Sequence, residues 1–214
     1  MGVVDDTVQS YLQQMTVFES DVLKRLEKEG AEEGIPNVDR TTAALMRTLM
    51  ASTQPKKILE IGTAIGYSAI HLAESAPNAS IFTIEKSQER AERAVKNIDE
   101  AGLSDRVHVW TGDAMEIMPS LKSTYDVVFI DAAKGKYSFF LDIAIEVCRP
   151  GGMILVDNVL FRGFVAGKAK IMNQKHQALV AKLQSFNEYL MTKKELVTSI
   201  VPIGDGLAIC VKKG

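Results

Sequence analysis

The segment Lys57-Ile58-Leu59-Glu60-Ile61-Gly62-Thr63-Ala64-Ile65-Gly66-Tyr67-Ser68 runs an apolar strand pattern into a glycine turn, with a carboxylate near the strand's end. Gly62 lets the chain reverse without a Cβ clash, and Gly66 opens the next helix where a ligand can approach backbone N–H groups. A dinucleotide fingerprint would read Gly-x-Gly-x-x-Gly with a pyrophosphate over the helix start. Here the spacing is Glu60-x-Gly62-x-x-x-Gly66, without the middle glycine, and Glu60 would repel a phosphate. A carboxylate suits a ligand with a cationic, amine-bearing end, and S-adenosylmethionine carries both a sulfonium and an ammonium group. An ordinary buried strand and turn is the other reading of this motif.

In open α/β sheets ligands bind beyond the carboxyl ends of the strands, so the residues that follow each strand carry the next information. Glu85 ends the pattern Ser80–Glu85, 23 positions past Gly62, about where an acidic residue would hydrogen-bond ribose hydroxyls. Trp110-Thr111-Gly112-Asp113-Ala114 is a polar turn able to face an adenine. Either carboxylate alone reads as well as a helix cap or first-turn residue. With Glu60 and Gly62 they fall in the order a nucleoside site needs.

The pattern at 125–131 ends in Asp131-Ala132-Ala133-Lys134, and the one at 153–156 ends in Asp157-Asn158. Adjacent parallel strands lie about 4.8 Å apart, so Asp131, Asp157 and Asn158 can converge. Two carboxylates and an amide oxygen make a hard, incomplete, all-oxygen shell suited to Mg²⁺ or Mn²⁺. Zinc fits poorly, since His71, His108, His176 and both cysteines lie far from these positions in sequence. Each Asp could instead simply start a loop, but two such strand ends would then hold like charges together without a cation. Lys134 is close enough to reach the same pocket, where desolvation and a neighbouring cation would lower its pKa and make it a general base. A solvated loop lysine, like Lys136, is the alternative.

These positions need a sheet to align them. Strand patterns at Lys57–Ile61, Ser80–Glu85, 107–110, 125–131 and 153–156 alternate with helical patterns at Tyr67–Ser75, 87–101, 114–121 and 137–148, the signature of a mostly parallel sheet with helices on both faces. Patterns at 197–203 and 207–211 flank Gly204-Asp205-Gly206 and predict a hairpin that adds an antiparallel edge. Ahead of the sheet, residues 4–30 and 41–51 read as two helices. The first carries a stripe of Val8, Tyr11, Leu12, Met15, Phe18, Val22 and Leu26, expected in the core or at a subunit interface. The expectation is one α/β domain over 1–214, with a helical cap at 1–55 and a Rossmann-like core at 56–214.

The length suits one well-buried domain. A net charge of −2 and a pI near 6.0 exclude a chain coated in basic surface, so nucleic-acid contact would need a local patch. No apolar run reaches bilayer length and the first residues lack a signal-peptide pattern, so a cytoplasmic protein is expected. Cys148 and Cys210 are far apart, without CxxC spacing, and read as reduced packing residues.

Together the motifs at 59–68, 83–85, 112–114, 129–134, 157–158 and 202–206 resemble the class I S-adenosylmethionine-dependent, metal-dependent O-methyltransferases of the caffeoyl-CoA and catechol group. The similarity extends from Ile35 to the end. It implies a Rossmann-like methyltransferase fold and a homodimer. It also implies a cofactor site of Val38, Glu60, Gly62, Tyr67, Ser68, Glu85, Asp113, Ala114 and Asp131. In that site Glu60, Gly62, Tyr67 and Ser68 hold the methionine part, Glu85 the ribose and Asp113 the adenine. Asp131, Asp157 and Asn158 match the metal ligands and Lys134 the catalytic base.

Through residues 58–70, 129–137 and 157–163 the chain looks most similar to the bacterial branch that includes the tRNA 5-hydroxyuridine methyltransferase, which forms 5-methoxyuridine at the wobble position. The O5 hydroxyl and O4 carbonyl of that base are vicinal oxygens, as a catechol's are, and could chelate one cation. Residues 159–187 hold Arg162, Lys168, Lys170, Lys175 and Lys182 and no acidic residue, a candidate RNA rim in an acidic chain. An amphipathic helix over 173–191 with a solvated charged face is the alternative, and Phe161, Phe164 and Phe186 can serve a pocket or the core. Three functions therefore stand: methylation of tRNA hydroxyuridine, methylation of a small catechol-like or acyl-CoA-linked phenol, or cofactor binding without turnover.

Overall fold

The computed structural model describes residues 3–167 and 173–214. Strands β1 (Lys57–Ile61), β2 (Ser80–Glu85), β3 (Val107–Thr111), β4 (Tyr125–Ile130), β5 (Cys148–Val156), β6 (Leu196–Val201) and β7 (Leu207–Lys212) form one sheet in the order β3-β2-β1-β4-β5-β7-β6. The first five are parallel, and β7 runs antiparallel to both β5 and β6. The expected Rossmann-like sheet with an antiparallel C-terminal hairpin is observed.

The central strands are apolar runs because both of their faces are covered. One face carries α2 (Asp21–Glu33), α3 (Arg40–Thr53), α4 (Tyr67–Ser75) and α5 (Gln88–Glu100), which bury Leu23, Leu26, Met46, Met50, Ile70 and Ile98. The other carries α6 (Ala114–Ile117), α7 (Tyr137–Val147) and α8 (Gln174–Thr192), which bury Phe140, Leu141, Leu183, Phe186 and Leu190. Each fully buried Leu or Met contributes roughly 1.5–3 kcal/mol, so the two layers hold the sheet rigid between them. Register then aligns the strand ends: Ile61 pairs with Ile84 and Ile130, and Ile130 pairs with Val156. Gly62, Glu85, Asp131 and Asp157 consequently emerge along one edge.

Local sequence corrects several expected boundaries. Residues 4–30 form two helices, α1 (Asp6–Met15) and α2, because β-branched Thr16 and Val17 favour an extended link and Ser20 accepts from Leu23 N at 3.4 Å to cap a new helix. The apolar stripe divides at that break. Phe18 and Leu26 enter the core, whereas Val8, Tyr11, Leu12 and Met15 on α1 are exposed. The helix expected at 114–121 stops at Ile117, where Pro119 tightens the chain into a 3₁₀ turn over Met118–Ser120. β5 begins five residues before the expected start, since Cys148 pairs with Tyr125 ahead of an irregularity in register. No helix among the described residues is long and apolar enough to cross a membrane.

Candidate active site

A cavity of about 420 Å³ opens at the strand-end edge, and Gly62, Glu85, Asp113, Ala114, Asp131, Lys134 and Asn158 all line it. Seven of the residues singled out in the sequence thus meet in one place. Glu60 lies just beneath, wholly buried, with Thr83 Oγ1 donating to Oε2 from the neighbouring strand. Its other oxygen, Oε1, has no hydrogen-bond partner. Burial pushes its pKa up to about 7, against the lowering influence of the Ser68 and Thr83 hydroxyls. A buried, unsatisfied acceptor costs free energy until a donor arrives, and a ligand ammonium supplies one.

Glu85 joins the glycine turn to the next helix. Its Oε2 accepts from Ala64 N and its Oε1 from Ser87 N, both at 2.8 Å. Ser87, rather than Glu85, caps α5. Asp113 does cap α6, accepting from Met115 N at 2.9 Å, and its second oxygen pairs with Lys86 at 2.7 Å. The cap reading of Asp113 therefore holds alongside its place in the cavity wall.

Two expected cofactor residues lie elsewhere. Val38 and Tyr67 line a separate cavity of about 640 Å³ between α1, α2 and α3. Tyr67 donates to Glu27 Oε1 at 2.6 Å, and burial together with Glu27 raises its phenol pKa. Ser68 sits buried in the first turn of α4, within reach of Glu60.

On the β4–β5 side, Asn158 Nδ2 lies 3.4 Å from Asp131 Oδ1, and Asp157 Oδ1 accepts from Asn158 N at 2.8 Å. Asp157 is only 3% exposed. Burial raises its pKa well above the ordinary carboxylate range, and the charge of Asp131 adds to the rise. Asp131 is raised as well, by burial opposed by Lys134. No group of three or more His, Cys, Asp or Glu side chains among the described residues is placed to hold a metal. The set here is two carboxylates and one amide, and like charges driven together out of water favour a cation between them. Lys134 stands on the 3₁₀ turn Lys134–Lys136 beside Asp131.

A third cavity, of about 340 Å³, adjoins Asp157 and Asn158. Gln9, Gln13, Asn37, Asp39, Arg162 and Asp205 form its wall. Asp205 arrives because its carbonyl accepts from Leu160 N and Phe161 N, tying the hairpin loop to the segment after β5. Of these, sequence motifs point only to Arg162 and Asp205, although Gln9 and Gln13 stand four apart on α1, a spacing that marks one helical face. Arg162 is exposed, with a left-handed φ of 55°. Lys168 and Lys170 lie outside the described residues. In α8, Lys175 and Lys182 are exposed while Val180, Leu183, Phe186 and Leu190 are buried, the amphipathic arrangement with a charged outer face. Phe186 packs on Tyr137, and Phe161 on Phe164 and His176, so none is a free stacking platform.

From residue 13 to residue 213 the chain matches the model of the O-methyltransferase family. It belongs to that family. This O-methyltransferase is 32% identical to the catechol O-methyltransferase of Niastella koreensis, over 97% of each chain. It is 29% identical to the caffeoyl-CoA O-methyltransferase of Stellaria longipes, over 96% of this chain and 90% of the other. Among solved structures it resembles the Streptomyces achromogenes O-methyltransferase TomG, crystallised with S-adenosylmethionine, with a TM-score of 0.83, 29% identity and coverage of 97% and 96%. A Bacillus cereus O-methyltransferase in complex with S-adenosylhomocysteine superposes with a TM-score of 0.82 at 27% identity, over 97% of both chains. The strand-end cavity is therefore the candidate active site of a methyl-transferring enzyme.

Proposed function

We propose that this enzyme transfers the methyl group of S-adenosylmethionine to one of two vicinal oxygens of its substrate, with a divalent cation at Asp131, Asp157 and Asn158 and with Lys134 as general base. The contact between Asn158 and Asp131, beside a buried Asp157 of raised pKa, carries this reading. Glu60 receives the cofactor's ammonium on its unpartnered oxygen. Glu85 keeps its backbone bonds and offers its remaining lone pairs to the ribose, while Asp113 and Ala114 border the adenine. A divalent cation, Mg²⁺ or Mn²⁺, supplies positive charge that makes a neighbouring hydroxyl more acidic. Lys134 then removes the proton, and the walls of the two adjoining cavities hold the oxygen in line with the sulfonium methyl.

For the substrate, we infer the wobble 5-hydroxyuridine of tRNA. The polar wall of the cavity beside Asp157 and Asn158 and the exposed Arg162 at its rim support it. A small catechol-like or acyl-CoA-linked phenol is the second reading, favoured by the catechol and caffeoyl-CoA activities named for the relatives. The exposed face of α1, with Val8, Tyr11, Leu12 and Met15, suits a two-fold contact with a second copy of the chain. Mass spectrometry of tRNA nucleosides from cells lacking the gene tests the substrate. Loss of 5-methoxyuridine with accumulation of 5-hydroxyuridine is expected, and unchanged nucleosides would move the assignment to a phenol.

A further inference from the structure

Helix α1 faces the opposite way from an ordinary amphipathic surface helix. Its apolar residues Val8, Tyr11, Leu12 and Met15 are 47, 60, 40 and 65% exposed, and none of its residues is buried. Its inward contacts are polar. Gln9 Nε2 donates to Asp39 Oδ1 at 3.1 Å and Gln13 Nε2 to Asp39 Oδ2 at 2.9 Å. Asp39 is itself held as the N-cap of α3, accepting from Thr41 N at 2.9 Å. The two amides are thereby fixed by their nitrogens, and no described residue donates to either amide oxygen.

Both glutamines line the cavity that adjoins Asp157 and Asn158, and among the described residues no aliphatic or aromatic side chain lines it. A hydrocarbon ring placed there would strip water from amides and carboxylates and return no hydrogen bond, at a cost for each group left unpaired. A ring with its own N–H donor and carbonyl acceptors replaces those bonds. Glutamine and asparagine amides are suited to this, because each presents a donor and an acceptor in one plane.

We infer that Gln9 and Gln13 are specificity-determining residues whose amide oxygens accept from the ring N–H of a uracil-type heterocycle, with Asp39 as the positioning residue that aims them. The inference rests on the vicinal-oxygen substrate reading above and adds which residues distinguish the heterocycle from a phenol.

The test uses the full-length enzyme with cofactor and Mg²⁺ on three substrates: 5-hydroxyuridine in an anticodon stem-loop, the same oligonucleotide methylated at ring N3, and catechol. In the unmodified enzyme N3 methylation should lower kcat/KM by about tenfold, the scale of one missing hydrogen bond. Gln13→Met and the double variant with Gln9→Met keep side-chain length and remove the acceptor. They should lower the ratio of kcat/KM for hydroxyuridine to that for catechol by about tenfold, mainly through KM. They should also become indifferent to N3 methylation, since a broken pair cannot be broken again. Equal losses on hydroxyuridine and catechol would show that α1 acts only as a scaffold and would overturn the inference. Full sensitivity of the variants to N3 methylation would overturn it too, with the substrate reading left standing. Turnover of catechol without any turnover of hydroxyuridine would remove both.

Discussion

The carbonyl oxygen of Asp131 stands 1.9 Å from where a Cβ on Gly62 would be. The turn after β1 and the end of β4 thus close on each other at the cavity floor, and Gly62, with φ of 104°, has no room for any side chain. Gly62→Ala should displace Asp131 and its partner Asn158, lowering the thermal midpoint strongly and abolishing cofactor binding. Gly34→Ala at the end of α2 meets nothing within 4 Å and should cost only about 1–2 kcal/mol, the penalty of a left-handed alanine. Calorimetry of the two variants side by side separates crowding from backbone strain.

The raised pKa of Glu60 predicts a pH dependence. Its folded value, about 7, exceeds the ordinary 4.5, so its stabilising effect is complete below about 4.5 and is lost as pH rises through about 7. The loss is on the order of 3 kcal/mol. His71 has the opposite sign: burial beside Arg47 and Arg40 holds it down to about 3, so its contribution is lost as pH falls below its ordinary 6.5. Subtracting the melting profile of Glu60→Gln from that of the parent isolates the carboxylate, whose difference should grow as pH rises from 4.5 to about 7 and level off above that. Cofactor binding should tighten over the same rise in the parent and not in the variant, because an ammonium favours the charged form.

Asp157→Asn should raise the thermal midpoint of the metal-free enzyme, since it removes one of two like charges held out of water. It should abolish methyl transfer while largely sparing cofactor affinity. Mg²⁺ should raise the melting temperature of the parent and leave that of the variant unmoved. Full transfer by the parent in chelator would exclude the cation.

Arg162→Glu tests the RNA rim. The KM for tRNA should rise, and the dependence of log affinity on log salt should weaken by about one released counterion for each phosphate no longer neutralised. A salt slope equal to the parent's would return Arg162 to the solvated surface.

Light scattering should report a dimer at micromolar concentration, and Tyr11→Asp with Met15→Asp should shift it to monomer. A parent that is monomeric throughout that range would end the two-fold reading of α1.

The sheet was legible because buried parallel strands are written as unbroken apolar runs, and each chemically loaded residue followed such a run: Glu85, Asp131, Asp157 and Asn158. Lys134 was legible from its three-residue distance to Asp131. The break in the first helix was harder, because Phe18 and Val22 continue the 3.6-residue period straight across Thr16–Ser20 and only the Ser20 cap contradicts it. Asn37, Asp39, Gln9 and Gln13 were hidden for another reason. They reach the cavity by tertiary contact from α1 and from the connection between α2 and α3, where no strand end announces them. Val38 and Tyr67, close in sequence to residues of the strand-end cavity, line the neighbouring cavity instead, Tyr67 bonded to Glu27.

Because α1 buries none of its side chains, substitutions along Asp6–Met15 escape the packing constraint that governs the strand ends. Away from Gln9 and Gln13, mutational drift there is nearly free of folding cost, whereas a change at Glu60, Gly62 or Asp157 disturbs buried charge or backbone packing at once. Divergence among descendants of this chain would accumulate first in that helix, leaving the methyl-transfer machinery intact while the surface that meets new substrates and partners changes.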